Sequence, residues 1–285
     1  MCRGDRIENP RVGFEGCIIL GCSAQNGLVG ALFPLAGSEV TLDHCNLLQN
    51  FASDVGLVFA PGGVSVTMTN CLITDNGAVA GSTDLFGFQN SSVLRLINCT
   101  VARNGFSMGF GDALIRAFAG DIVEVSNSII WDNQAQAFDV PAYFVQFSIL
   151  PDAGAVPDGK FNQDTDPMFV DSASFDFELA PGSPAIDAGA NMALATIDPD
   201  TGLLSALMID TFHRLRYIDD AGTPDTGFGF NYVPVRPNLP IVDIGALEFQ
   251  GQTPDPCPAD LVDDDVLNFD DVLKFLTDFT MGCPI

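Results

Sequence analysis

Basic residues are scarce in this 285-residue chain: eleven lysines and arginines face thirty-seven aspartates and glutamates, a formal net charge of −26. A field of that sign repels nucleic acid and anionic membranes, so neither is an expected partner. It also disfavours polyanionic ligands unless a bound cation bridges them to the protein. No apolar run reaches the roughly eighteen residues of a membrane span. Only two histidines and one tryptophan occur, and no Ser-His-Asp set can be placed. The opening MCRGDRIENPRVGF has no apolar signal core. A strand repeat already starts at Val12, so residues 1–11 are expected to be the truncated end of a longer N-terminus. Strong acidity fits an extracellular or cell-surface location, where salt screens repulsion beyond about 8–10 Å.

Charged residues make up only 17% of the chain against 47% hydrophobic ones. A surface that leans on Asn, Thr, Ser, Gln and Gly suits stacked strands with polar turns better than helices. The stretches GCIILGC, HCNLLQN, NCLITDN, NCTVARN and NSIIWDN repeat one pattern, anchored at Cys17, Cys45, Cys71, Cys99 and Ser128. The anchors are 28, 26, 28 and 29 residues apart, and Ser148 follows after a shortened 20. A period in this range signals a solenoid. Around each anchor, apolar residues alternate with mostly polar ones at period two. Val12, Val40, Val66, Leu94 and Val123 form one column; Phe14, Leu42, Met68, Leu96 and Val125 form a second. Ile19, Leu47, Ile73, Val101, Ile130 and Leu150 form a third. Such alternation predicts strands with one buried face, stacked ~4.8 Å apart into a continuous core.

Two polar columns flank the strands. His44, Asn70, Asn98 and Asn127 precede the anchors; Cys22, Asn50, Asn76, Asn104 and Asn133 follow five residues after them. Asparagine tolerates left-handed backbone and hydrogen-bonds between coils, so both columns are expected at corners. Cys17, Cys45, Cys71 and Cys99 share one inward register and read as small buried hydrophobes. A zinc site needs ligands converging on a point, whereas a column spreads them over roughly 14 Å.

The repeat resembles right-handed parallel β-helix proteins, a superfamily that includes pectate-lyase-like and polysaccharide-depolymerising enzymes. That resemblance implies an all-β, right-handed solenoid of about five rungs over residues 12–150. From Asp166 the chain reads DPMFVDSASFDFELAPGSPAIDAGA, and it later reads IVDIGALEF. These segments, with Arg216 in the linker between them, resemble the ending of bacterial surface β-helix proteins. His213 stands there in place of a usual Gly. Residues 151–250 are accordingly read as a final rung and an irregular C-terminal cap, with a sugar or metal site as the alternative.

The stretch 251–285 is expected to be a small α-helical calcium-loop tail. Counting a twelve-residue loop from Asp260 places Asp264, the Val266 carbonyl, Asn268 and Asp271 at ligand spacing for Ca²⁺, with DVLKFLTDF following as an amphipathic helix. Val262 and Asp265 depart from the loop pattern at positions three and six. The stretch resembles half of a dockerin module of planctomycete type, which implies surface attachment or a cohesin-like partner. Cys257 and Cys283 bracket it, and in an oxidising compartment a bridge between them would stabilise the module by roughly 3 kcal/mol.

Catalytic candidates are few. The rungs contain no lysine. Arg95 stacks in register with Glu124, and Arg103 lies between Asp75 and Asp132, arrangements that cross-strand ion pairs explain without chemistry. Arg103 alternatively serves as a lyase base. Asp75 and Asp132, two rungs or ~9.6 Å apart, alternatively serve as a hydrolase pair. Trp131 is expected to point outward as a sugar platform. The leading expectation is a non-catalytic secreted or surface protein that binds carbohydrate or matrix. A polysaccharide lyase or glycoside hydrolase, and a structural or adhesive coat component, are the alternatives.

Overall fold

The computed structural model describes residues 10–24, 29–78, 84–105, 113–141, 143–151, 153–155, 161–191, 195–197, 204–206, 209–229 and 240–251. The chain divides into two units, Met1–Phe249 and Gln250–Ile285, and the description below concerns the first. Its parallel strands stack into a β-solenoid, the all-β architecture that the repeat predicts. One sheet holds six strands: Arg11–Glu15, Glu39–Asp43, Ser65–Thr69, Val93–Ile97, Ile122–Ser126 and Tyr143–Gln146, in that order. A second sheet stacks five short strands, Ile18–Leu20, Asn46–Leu48, Leu72–Thr74, Thr100–Ala102 and Ile129–Trp131. A third stacks Val55–Ala60, Asp84–Phe88, Ala113–Arg116 and Gln136–Asp139.

The pairing register matches the repeat alignment residue for residue. Val40, Val66, Leu94 and Val123 are successive partners, as are Leu42, Met68, Leu96 and Val125. All eight are buried, and they meet Leu47, Ile73, Val101 and Ile130 from the second sheet and Phe86, Phe88 and Ile115 from the third. Val12 heads its column on the edge strand of the sheet and stays 45% exposed. Burying each such side chain contributes about 1.5–3 kcal/mol, so the columns supply the fold's main driving force.

Cys45, Cys71 and Cys99 are buried as expected, Cys17 on the first coil is only partly so, and all four thiols are free. Cys45, Cys71 and Cys99 donate to the carbonyls of Asp43, Thr69 and Ile97, each two residues back. Burial pushes the Cys71 thiol well above its ordinary range, consistent with inert neutral sulfur. The switch to serine at 128 and 148 has a local cause. Their hydroxyls accept the backbone N–H of Cys99 and Ser128, at 3.1 Å each, and donate to the carbonyls of Ser126 and Gln146.

The two polar columns do different jobs. His44, Asn70, Asn98 and Asn127 take left-handed backbone angles, with φ between 48° and 51°, and turn the chain from the first sheet into the second. At the next corner the left-handed positions belong to Gly21, Gln49, Asp75, Arg103 and Asp132 instead. The asparagines one residue later form a ladder. The Asn76 amide donates to the Leu47 carbonyl below and to Asn104 Oδ1 above, at 2.8 and 3.0 Å. Its own Oδ1 accepts both the backbone and the side-chain N–H of Asn50. Asn50, Asn104 and Asn133 repeat the arrangement, so each buried amide is satisfied without water.

The last coil is covered by residues nearer than the sequence suggests. Ala153 joins the core, and Gln163 continues the second sheet by bridging Ile149. The motif-bearing segments from Asp166 onward, expected to cap the open end, lie along the solenoid's flank. Phe177, Ala246 and Leu247 pack on Leu72 and Ala102, while Leu179, Ala185, Ile186 and Ile244 pack on Ile129 and Ile149. Those rung residues project outward, and their apolar faces require a cover. Hydrogen bonds fasten the same flank: Thr211 Oγ1 to the Asn70 carbonyl, Ala246 N–H to Thr100 Oγ1, and Gly245 N–H to the Asn127 carbonyl. Gly245 has to be glycine. Its φ is 110°, and a Cβ there would sit 2.8 Å from the Ile129 side chain.

Beneath this cover lies a buried ionic knot. Arg216 donates to Glu248 at 3.2 Å and to the carbonyls of Gly245 and Ala246. Glu248 accepts the Asp243 N–H, and Asp243 accepts those of Asp187 and Phe249. Burial pushes the Glu248 carboxyl up to about 7 although Arg216 opposes the shift; burial and then the Glu248 charge raise Asp243 as well. His213 forms the tight turn after Asp210 with φ of 63°, doing in strained form what glycine does freely. Its ring lies against His44 with centroids 5.2 Å apart, which supplies a reason for an imidazole there.

Candidate functional site: a cleft beside Trp131

Sequence reasoning brought Arg103, Trp131 and Asp132 to one corner of the solenoid, and the structure places all three around a cleft of about 350 Å³. Ala102 and Arg103 come from one coil and Trp131 and Asp132 from the next, so the repeat itself sets their spacing. The opposite wall comes from the flank segment through Asp166, Met168, Phe169, Ser172 and Phe177. That wall is built locally. Asp166 Oδ1 accepts the Met168 N–H, and Phe169 packs edge-on against Phe177 with centroids 5.3 Å apart. Asp171 then caps a short turn over Ser172–Ser174. The Ser174 hydroxyl, at 2.7 Å, holds the Asp171 carboxyl below its ordinary range.

The turn aims two groups at Arg103. The Ser172 carbonyl accepts from one guanidinium nitrogen, and the Phe175 ring lies 4.9 Å from the guanidinium carbon. The other nitrogen donates to Asp75 Oδ1 at 2.9 Å. Asp75 Oδ2 accepts the Thr74 hydroxyl at 2.7 Å, and the Asp75 side chain is only 6% exposed. The expected ladder of Asp75, Arg103 and Asp132 is therefore half formed: Asp75 pairs with Arg103, and Asp132 stands exposed at the cleft. Asp75 faces inward behind the arginine, and a substrate in the cleft meets Asp132 and Asp166 rather than Asp75.

Arg95 pairs with Glu124 at 2.5 Å, as the register predicts. Arg11 pairs with Glu39, and Arg116 with Asp84 and, at 3.5 Å, with Asp139. Each arginine in the described rungs is thus matched to an acid on a neighbouring coil. Trp131 is half-buried rather than fully outward, with part of its ring packed on the cluster around Ile129 and Ile186. Nothing in the repeat points to Asp166 as part of this site. It lies 34 residues beyond Asp132, outside the repeat, and only the fold of the flank brings it in.

Asp260, Asp264, Val266, Asn268, Asp271, Cys257 and Cys283 lie outside the described residues. Among the described residues no helix is long and apolar enough to cross a membrane. Comparison with protein-family models, with curated proteins and with solved structures finds no match.

Proposed function

We propose that this chain is a non-catalytic β-solenoid that binds carbohydrate in the cleft beside Trp131. Its setting is extracellular or cell-surface, with residues 251–285 as a dockerin-like, calcium-dependent attachment module. The observation that carries the reading is the state of Arg103. A lyase base must reach a proton on the substrate, yet this guanidinium is engaged by Asp75, the Ser172 carbonyl and the Phe175 ring. What the cleft offers a ligand is one aromatic face with carboxylates beside it, the usual equipment for stacking a sugar ring and accepting its hydroxyl protons. The acidic balance of the chain favours neutral polysaccharides over polyanionic ones.

Trp131 is the sole tryptophan, so it reports on its own cleft. The full chain is titrated with a polysaccharide panel, with and without calcium, while indole emission, reducing ends and unsaturated products are followed. A saturable emission shift without product, lost in Trp131→Ala, is the expected result. Product release abolished by Asp132→Ala or Asp166→Ala would replace binding with hydrolysis, and unsaturated product abolished by Arg103→Ala would replace it with elimination. No response to any sugar would leave a structural coat component.

A further inference from the structure

We propose that Asp187, Asp219 and Asp225 form a site for one divalent cation of calcium size, distinct from both the Trp131 cleft and the tail loop. One carboxylate oxygen from each residue lies within 4.8 Å of the other two. Asp187 is fully buried, whereas Asp219 and Asp225 are exposed. The three are brought together by backbone. Asp187 sits at a left-handed corner, φ 52°, of the turn after Pro184, and its carbonyl accepts the N–H groups of Thr226 and Gly227 at 3.0 Å each. Those bonds press the loop from Asp219 to Gly227 against it.

A cluster of acids alone would not mark a site; the state of Asp187 does. Its Oδ2 accepts the Asp220 N–H at 3.3 Å, but its Oδ1 is shut away from solvent with no hydrogen-bond partner among the described residues. An ionised oxygen buried without a donor is costly unless a cation meets it. Among the described residues no lysine, arginine or histidine pairs with any of the three. The electrostatics agree with that geometry. Burial first, then the charges of Asp219, Asp225 and Asp220, push the Asp187 carboxyl up to about 6, against the pull of the Asp220 N–H.

The donor set selects the cation. Three carboxylates with no imidazole or thiolate favour a hard ion. Oxygens within 4.8 Å of one another can share one ion at calcium's ~2.3–2.6 Å, and three carboxylates exceed the one or two that magnesium commonly takes. Exposure of Asp219 and Asp225 leaves one side open for water to complete the shell.

The test uses the full chain carrying Asp260→Ala and Asp271→Ala, which silences the tail loop. Calcium is titrated calorimetrically, and melting is recorded with and without it. One bound calcium and a higher melting temperature are expected. Adding Asp219→Asn and Asp225→Asn, both at exposed positions, should weaken binding about tenfold or more and erase the rise. An unchanged melting temperature without calcium shows that this variant folds. No binding up to ~10 mM calcium would overturn the proposal, because even weak extracellular sites fill below that level. Undiminished binding by the Asn variant, or magnesium binding as tightly as calcium, would overturn it too.

Discussion

Replacing Arg103 with alanine separates a structural arginine from a chemical one. The substitution strands Asp75, whose side chain is 6% exposed and whose only other side-chain partner among the described residues is the Thr74 hydroxyl. Breaking a buried pair by removing one member costs about 3–5 kcal/mol, because the remaining charge stays desolvated. Loss of the guanidinium over Phe175 adds about 0.5–1 kcal/mol. The arginine is itself 18% exposed, so water relieves part of the penalty, and about 3–4 kcal/mol is the expected total. For a folded unit of this size that lowers the melting temperature by roughly 10 °C. Urea unfolding followed by circular dichroism measures the change, alongside Asp75→Asn and the double variant Asp75→Asn/Arg103→Met. The double variant should recover more than half of the loss, since no charge is then left unpaired. A cost below about 1 kcal/mol for Arg103→Ala, with additive single effects, would refute the pairing argument. Arg103 would then again be available as a reactive group.

Two further outcomes test other parts of the molecule. Asn76→Ala removes five hydrogen bonds, three donated by its amide and two accepted from Asn50, at a fully buried site. It should cost about 3–4 kcal/mol in the same unfolding assay, and Asn133→Ala at the partly exposed end of the ladder should cost less. Glu248 has a carboxyl raised from an ordinary 4.5 to about 7. A raised value means that its stabilising contribution is full below 4.5 and disappears as pH climbs through 7. Melting temperature should therefore rise as pH falls from 8 towards 5.5, and Glu248→Gln should flatten that rise. A parallel pH profile in the variant would assign the effect to relief of net negative charge instead.

The solenoid was legible because its physics is periodic. Alternation at period two, recurring every 26 to 29 residues, is enough to name the inward columns from Val40 to Val125 and the Arg95–Glu124 pair. The same periodicity placed Asn76 at a corner where it hydrogen-bonds to both neighbouring coils, but it did not tell which residue there takes the left-handed turn. Asn76 stands in the ladder, while Asp75 beside it takes the left-handed turn, and a column of asparagines looks alike in either role. Where periodicity ends, legibility ends with it. Arg103 meets Ser172 across 69 residues, and Ala246 meets Thr100 across 146. No repeat carries such contacts, so the second wall of the cleft and the flank position of DIGALEF emerged only in three dimensions. Asp219 and Asp225 carry no sequence signal, because isolated acids are common in a chain with thirty-seven of them.

The flank segment also changes how such a molecule can come apart. In a plain solenoid each coil touches only its neighbours, so coils can peel away from one end in sequence. Here Thr211 is fastened at Asn70, Ala246 at Thr100, and Gly245 at Asn127, which lashes three successive coils to a single strap. Peeling the outer coil under load then requires lifting the strap from the inner ones, so the force is shared among them. Pulled from either end, the solenoid should yield in one large event rather than a staircase of small ones.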